Sequence, residues 1–188
     1  MTFILGSSSQ TRLDLLKQVK IIPDLIIPTD IDETPLKKEK PELYVQRIAL
    51  EKCHEILKTH KEGIILTADT IGTRNKKILR KTYTDEEVLN MLNFISGKNI
   101  DVLTAFCIAK NGIITTKKLI KTKVYLKHFS EKDVRELLDS KEGIGICCGC
   151  RFNGLIQGCI RKVVGSLSNI TGLPLYEVKN ALISAGIK

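Results

Sequence analysis

The side chains that could do chemistry fall at the start of the chain, at 30–33, and at 52, 69 and 81. Gly6-Ser7-Ser8-Ser9 follows the short apolar run Phe3-Ile4-Leu5 and precedes an amphipathic segment opened by Arg12. A strand that turns through glycine and serines into a helix start makes an anion site. The first helical N–H groups lack intrahelical partners, and the helix dipole adds positive potential there. The serine hydroxyls add donors, and Arg12 can offer a two-pronged fork to phosphate oxygens. The same residues also suit a plain serine N-cap beside a surface arginine. Their company decides between the two readings.

That company is charged. Asp30, Asp32 and Glu33 crowd acids that repel one another unless a cation or hydrogen bonds hold them. Lys52 lies four residues from both Ile48 and Ile56, along the edge of a helical apolar stripe, where a lysine either snorkels to water or turns its ammonium into a site. Asp69 follows the run Ile64–Ala68 and is expected just past the carboxyl end of a buried strand, where open α/β sheets place chemistry; the alternative is a local Asx turn. With Lys81 added, the set supplies phosphate donors, cationic clamps and two carboxylates for a divalent metal. That is an inventory for phosphoanhydride cleavage, in which positioning and charge neutralisation supply most of the catalysis. No Gly-x4-Gly-Lys-Ser/Thr is present, which excludes an ordinary P-loop.

Several elements must position these residues. Phe3 to Leu5 is a strand and a helix follows with Leu13, Leu16 and Val19 inward. Leu25 to Ile27 is a short strand, and Pro41-Glu42 opens a helix to about Thr59 with Val45, Ile48, Ala49, Cys53, Ile56 and Leu57 on one face. Asn75 to Leu79 is a small hairpin arm. Thr84-x-x-Glu87 is a capping box before Val88, Leu89, Leu92 and Ile95, and Ser96-Gly97 ends that helix. Asn111-Gly112 joins strands at Val102–Ala109 and Ile113–Leu126 as a hairpin. Ser130-x-x-Asp133 caps a further helix; a strand at Cys159–Val164, a loop at Gly165–Gly172 and a helix at Leu175–Ile183 close the chain. The mixture is α/β or α+β, built as one unit.

Composition sets the outer bounds. At 188 residues, with 43% hydrophobic side chains, the chain fits one domain, or one with two lobes. A net charge of +9 favours an anionic partner, but 5% aromatic content and the lack of a binding motif argue against nucleic acid. No run is long enough to span a membrane and the first residues lack a signal-peptide layout, so a cytoplasmic location is expected. Six cysteines in such a setting are expected as reduced thiols. Cys147 and Cys150 have C-x2-C spacing, yet Cys159 is the only nearby addition, whereas structural zinc takes four ligands.

Taken in order, the motifs resemble the Maf family of nucleotide pyrophosphatases. Leu5 to Leu16 resembles the family's "LASxSPRRxxLL", Asp32-Glu33 its "DE", and Tyr44-Val45 through Ala49 to Lys52 its "YVxRLAxxKA". Thr67-Ala68-Asp69-Thr70 resembles "GADT", Lys81 sits where the family has "GKP", Ser96 to Thr104 resembles "LSGxxHxVxT", and Gly165 to Leu175 resembles "GSYSNVxGLPL". The resemblance implies an elongated, mixed-sheet α/β fold like that of inosine triphosphate pyrophosphatase, with two lobes around a cleft, as one domain over 1–188, and often dimeric. It implies hydrolysis of a nucleoside triphosphate to the monophosphate and pyrophosphate with a divalent metal, Mg or Mn, acting on non-standard or surplus nucleotides. Ser8 and Arg12 would hold phosphate oxygens. Glu33 and Asp69 would serve the metal and the attacking water, with Asp69 as proton acceptor, and Lys52 and Lys81 would neutralise phosphate charge. Thr11, Thr70 and Asn153 are candidates for base selection. Here the chain departs from the pattern: Gln10-Thr11 replaces a Pro-Arg pair, Asn153 stands where a glutamine is usual, and Ile100 replaces a histidine. The rival readings are a division regulator without catalysis and a basic nucleic-acid-binding protein.

Overall fold

The computed structural model describes residues 1–187. In chain order the elements are β1 (Phe3–Gly6), α1 (Gln10–Gln18), β2 (Leu25–Ile26), α2 (Pro41–Leu57), β3 (Ile64–Arg74), β4 (Lys77–Leu79), β5 (Lys81–Thr82) and α3 (Asp85–Ile95). Then come β6 (Asn99–Lys110), β7 (Ile113–Leu126), α4 (Glu131–Asp139), β8 (Ile146–Cys147), a 3-10 turn (Leu155–Cys159), β9 (Ile160–Val164), α5 (Leu167–Ile170) and α6 (Leu175–Ala185). This is a mixed α/β fold in which β1 pairs in parallel with both β2 and β3. The chain forms two compact units, and β3, β6 and β7 contribute residues to both.

The first unit comprises Met1–Thr70, Thr104–Ile120 and 172–187. Its strands run in the order β2-β1-β3-β6-β7. Strand alternation sends Phe3, Leu5, Ile64, Leu66 and Ala68 into one core with Leu15 and Leu16 of α1 and Val178 and Leu182 of α6. Ile4 and Ile65 point the other way, into a core with Cys53 and Ile56 of α2. Gly6 lies where α2 comes close: a Cβ there would stand 2.6 Å from Thr67 Cγ2 and nearer still to Ile56 Cδ1. Asn111 and Gly112 take φ 48° and 83°, the left-handed pair that a two-residue hairpin requires.

The second unit comprises Ile71–Leu103 and Lys121–Thr171. In it β4 folds back on β3 through Asn75 and Lys76, both left-handed, and β5 pairs with β8. Val88, Leu92 and Ile95 of α3 pack with Val102, Val124, Leu126, Cys148, Cys150 and Phe152. Burial pushes the Cys148 thiol up and takes that of Cys150 to about 12. All six cysteines are free thiols.

Four local expectations change. Helix α1 starts at Gln10, because Ser9 takes the N-cap and accepts from the Arg12 N–H. The Thr84 capping box is half made: Thr84 accepts from the Glu87 N–H, but the Glu87 carboxylate takes the N–H of Tyr83 at 2.6 Å. The 165–172 segment holds the short helix α5, capped by Ser166. Most consequential, β3 does not stop at Ala68. Thr70, Ile71 and Thr73 are β-branched and carry the strand on to Arg74, so Asp69 is a mid-strand residue with no Asx turn.

Candidate active site

Alternation along β3 determines where Asp69 points. Leu66 and Ala68 fill one core, so Thr67 and Asp69 share the opposite face with Ile65, toward α2. Thr67 Oγ1 donates to the carbonyl of Ala49 at 2.7 Å, which pins the strand to the helix. Three residues on, Lys52 directs its Nζ to Asp69 Oδ1 at 3.1 Å and to Glu33 Oε1 at 2.6 Å. Lys52 and Asp69 are buried, while Glu33 is more open, with 43% of its side chain exposed. One ammonium therefore gathers two carboxylates that would otherwise repel.

Glu33 belongs to a segment without regular structure, yet its backbone is held. Tyr44 Oη donates to the Glu33 carbonyl at 2.8 Å, and Arg47 Nη2 to that of Thr34 at 3.1 Å. Hydrogen bonds from the Thr34 side chain and from its N–H, the latter at 2.8 Å, hold the Asp32 carboxyl below the usual range. The acidic run is thus an ordered turn over the first turns of α2.

The serine loop forms a second cluster. Ser7 is buried and accepts from Arg12 Nη1 at 3.0 Å, whereas Ser8 is exposed. Arg12 also donates through Nε to the Gly172 carbonyl at 2.9 Å and through Nη2 to Thr70 Oγ1 at 3.1 Å. Thr70 Oγ1 lies 2.9 Å from Thr104 Oγ1 and 3.2 Å from the Gly172 oxygen. The Arg12 fork is therefore spread over oxygens of the protein itself. The N–H groups of Gln10 and Thr11, ahead of the capped Arg12 N–H, have no hydrogen-bond partner among the described residues.

The first unit thus brings Glu33, Lys52 and Asp69 into contact, and separately Arg12 with Thr70; Thr11 is half-buried on the first turn of α1. Lys81 and Asn153 belong to the second unit. Lys81 is exposed and opposite Cys147 in the β5–β8 pair, and Asn153 is exposed in the turn before the 3-10 segment. Sequence reasoning missed Ser7, Thr104 and the Gly172 carbonyl, along with the holding roles of Tyr44 and Arg47. The last two did carry a signal: Arg47 lies three residues after Tyr44 and five before Lys52, on the edge of the α2 apolar stripe.

No group of three or more His, Cys, Asp or Glu able to hold a metal forms among the described residues. Glu33 and Asp69 make a pair of hard oxygen donors meeting at one cation. That donor set fits Mg or Mn if phosphate oxygens and water complete the sphere.

The chain is similar to known proteins over nearly its whole length. Residues 2–185 match the model of the family described as Maf-like protein. A protein of Rickettsia akari named nucleoside triphosphate pyrophosphatase is 41% identical over 192 residues, covering 100% of this chain and 96% of its own. The protein of the same name from Rickettsia felis is 40% identical, covering 100% and 95%. Among solved structures, the nucleoside-triphosphatase, or dITP/XTP pyrophosphatase, of Mycobacterium abscessus aligns over 99% of this chain and 94% of its own, with a TM-score of 0.46 and 13% identity. That score carries no inference.

Proposed function

Because the chain belongs to the Maf-like protein family, we propose that it is a nucleoside triphosphate pyrophosphatase, converting a nucleoside triphosphate and water to the monophosphate and pyrophosphate. The observation that carries this reading is the Lys52 ammonium bridging Glu33 and Asp69. Asp69 keeps Oδ1 on Lys52, which orients Oδ2 to take a proton from the attacking water. Glu33 and Asp69 are the residues that would hold a divalent cation, which supplies charge neutralisation and polarises phosphate oxygens. Lys52, freed in part from its carboxylates, offers positive charge to the phosphates. At the start of α1, the N–H groups of Gln10 and Thr11 and the Ser8 hydroxyl would serve as donors to phosphate oxygens. Arg12 can exchange its Ser7 and Thr70 partners for phosphate oxygens while the Nε–Gly172 bond fixes the guanidinium plane. The family resemblance that suggests these roles also gives Lys81 as a further cation, and Thr11, Thr70 and Asn153 as residues that would select the base. The pool such an enzyme would clear, non-standard or surplus nucleotides, is cytoplasmic, and a homodimer is the assembly its family implies.

The test is pyrophosphate release from a panel of standard and modified nucleoside triphosphates, with and without Mg or Mn. Metal-dependent turnover of a subset is expected. Silence of the folded protein across the panel overturns the reading. Asp69→Asn should lower turnover by about 10²–10⁴-fold while circular dichroism stays that of the parent. Parental rates in that variant would remove Asp69 from the role of proton acceptor.

A further inference from the structure

Residues 32–39 contain no helix or strand, yet Asp32, Glu33, Thr34, Leu36 and Glu39 are each hydrogen-bonded. The Thr34 N–H bonds Asp32, and the Leu36 N–H bonds Glu39 Oε2 at 2.9 Å. The Glu39 N–H returns to the Leu36 carbonyl at 3.0 Å. These local turns converge on one side chain. Arg47 grips Glu39 with Nε to Oε1 at 2.8 Å and Nη2 to Oε2 at 2.9 Å, and the same Nη2 reaches the Thr34 carbonyl. Nη1 is braced from behind by Glu51, at 3.1 Å from Oε2. The guanidinium also lies over the Tyr44 ring, 5.6 Å from its centre, and Tyr44 holds the Glu33 carbonyl.

Arg47 and Tyr44 are one helical turn apart on α2, and Lys52 follows on the same helix. The helix that supplies the ammonium therefore also holds the backbone at Glu33 and at the residue that follows it. A planar fork that is bidentate to Glu39 sets direction as well as distance, which a lysine cannot do. The Glu33 side chain itself is 43% exposed and has one ion pair, to Lys52, so the hold on its backbone does much to locate it.

We propose that Arg47 and Tyr44 are positioning residues, which strap residues 32–39 to α2 and so set the Glu33 carboxylate beside Lys52 and Asp69 for the incoming cation. The inference rests on the role given to Glu33 above. Neither residue touches the reacting atoms; each acts through the loop.

Two measurements on the full chain test it: hydrogen–deuterium exchange across 30–40, and the Mg concentration for half-maximal pyrophosphate release. In Arg47→Gln, exchange across 32–39 should rise about tenfold or more, the loss of charged hydrogen bonds, with β1 and β3 unchanged. Half-saturating Mg should rise by a similar factor, while turnover at saturating Mg falls by no more than about threefold. Arg47→Lys should recover part of both effects. Tyr44→Phe, which removes a single hydroxyl, should shift both by about two- to threefold, and it keeps the test alive should Arg47→Gln fail to fold. Unchanged exchange in the variants overturns the strap. Faster exchange with an unchanged Mg requirement overturns its role in placing Glu33. A parent protein that releases no pyrophosphate overturns the proposed reaction instead, and the exchange measurement still decides whether Arg47 holds the loop.

Discussion

Single hydroxyls carry much of the burden around Arg12. Thr70 Oγ1 sits among Arg12, Thr104 and the Gly172 carbonyl, so Thr70→Val keeps the shape and deletes a hydrogen-bonding hub. The expected cost is about 1–3 kcal/mol, measured by urea unfolding. A parental midpoint would mean that the hub adds nothing to stability. Base selection is tested at the same scale. Thr11→Arg and Asn153→Gln restore side chains usual in the family, and together they should reorder the preferred triphosphates without changing the metal requirement. An unaltered ranking would remove both from base selection. In the sequence, residue types do not tell the three serines of the loop apart, and it is the family resemblance that points to Ser8. Strand pleat and the turn decide that Ser7 goes inward to Arg12 and Ser8 faces solvent.

Elements show where local rules suffice. The Ser130–Asp133 capping box is complete: Ser130 accepts from the Asp133 N–H, and Asp133 accepts from that of Ser130. Lys127, 2.9 Å away, and the bonds from Ser130 hold the Asp133 carboxyl well below its usual 3.8. A lowered folded-state value means stability present above the unfolded value and lost as the pH falls from about 4 downward. Asp133→Asn should accordingly flatten the acid side of the thermal stability profile; an identical acid limb would show that the cap contributes nothing there. The stretch from Gly143 to Gly158 is rich in glycine and cysteine, and its sequence gives no clear element. Its Cys148 and Cys150 are core residues, and thiols kept protonated by burial should resist iodoacetamide at pH 8 in the folded protein, with mass spectrometry locating any label. Rapid labelling of either would contradict their burial.

At the scale of the whole molecule, charge matters more than shape. A chain of net charge +9 attracts a polyanion over long range, and salt screens that attraction. The KM for a triphosphate should therefore rise roughly threefold or more between 50 and 300 mM salt, with kcat little changed. A salt-independent KM would confine the electrostatics to close contacts. No helix among the described residues is long and apolar enough to cross a membrane.

What the sequence determined by itself was local or strongly patterned. The apolar stripe of α2, the Asn111-Gly112 hairpin and the Ser130 cap depend on neighbours within a few residues, so side-chain order reveals them. Residue type and order also singled out Glu33, Lys52 and Asp69, and these three meet in the structure. Tertiary structure alone decided how they meet. Asp69 reads as the end of a strand because a carboxylate interrupts an apolar run, but paired neighbours on β3 continue the ladder through it. The Lys52 bridge joins residues 19 and 17 positions away, and the Arg12 fork closes on a carbonyl at position 172. No local preference encodes such pairings; they arise when packing brings α2, β3 and the entry to α6 together and the buried charges must find partners.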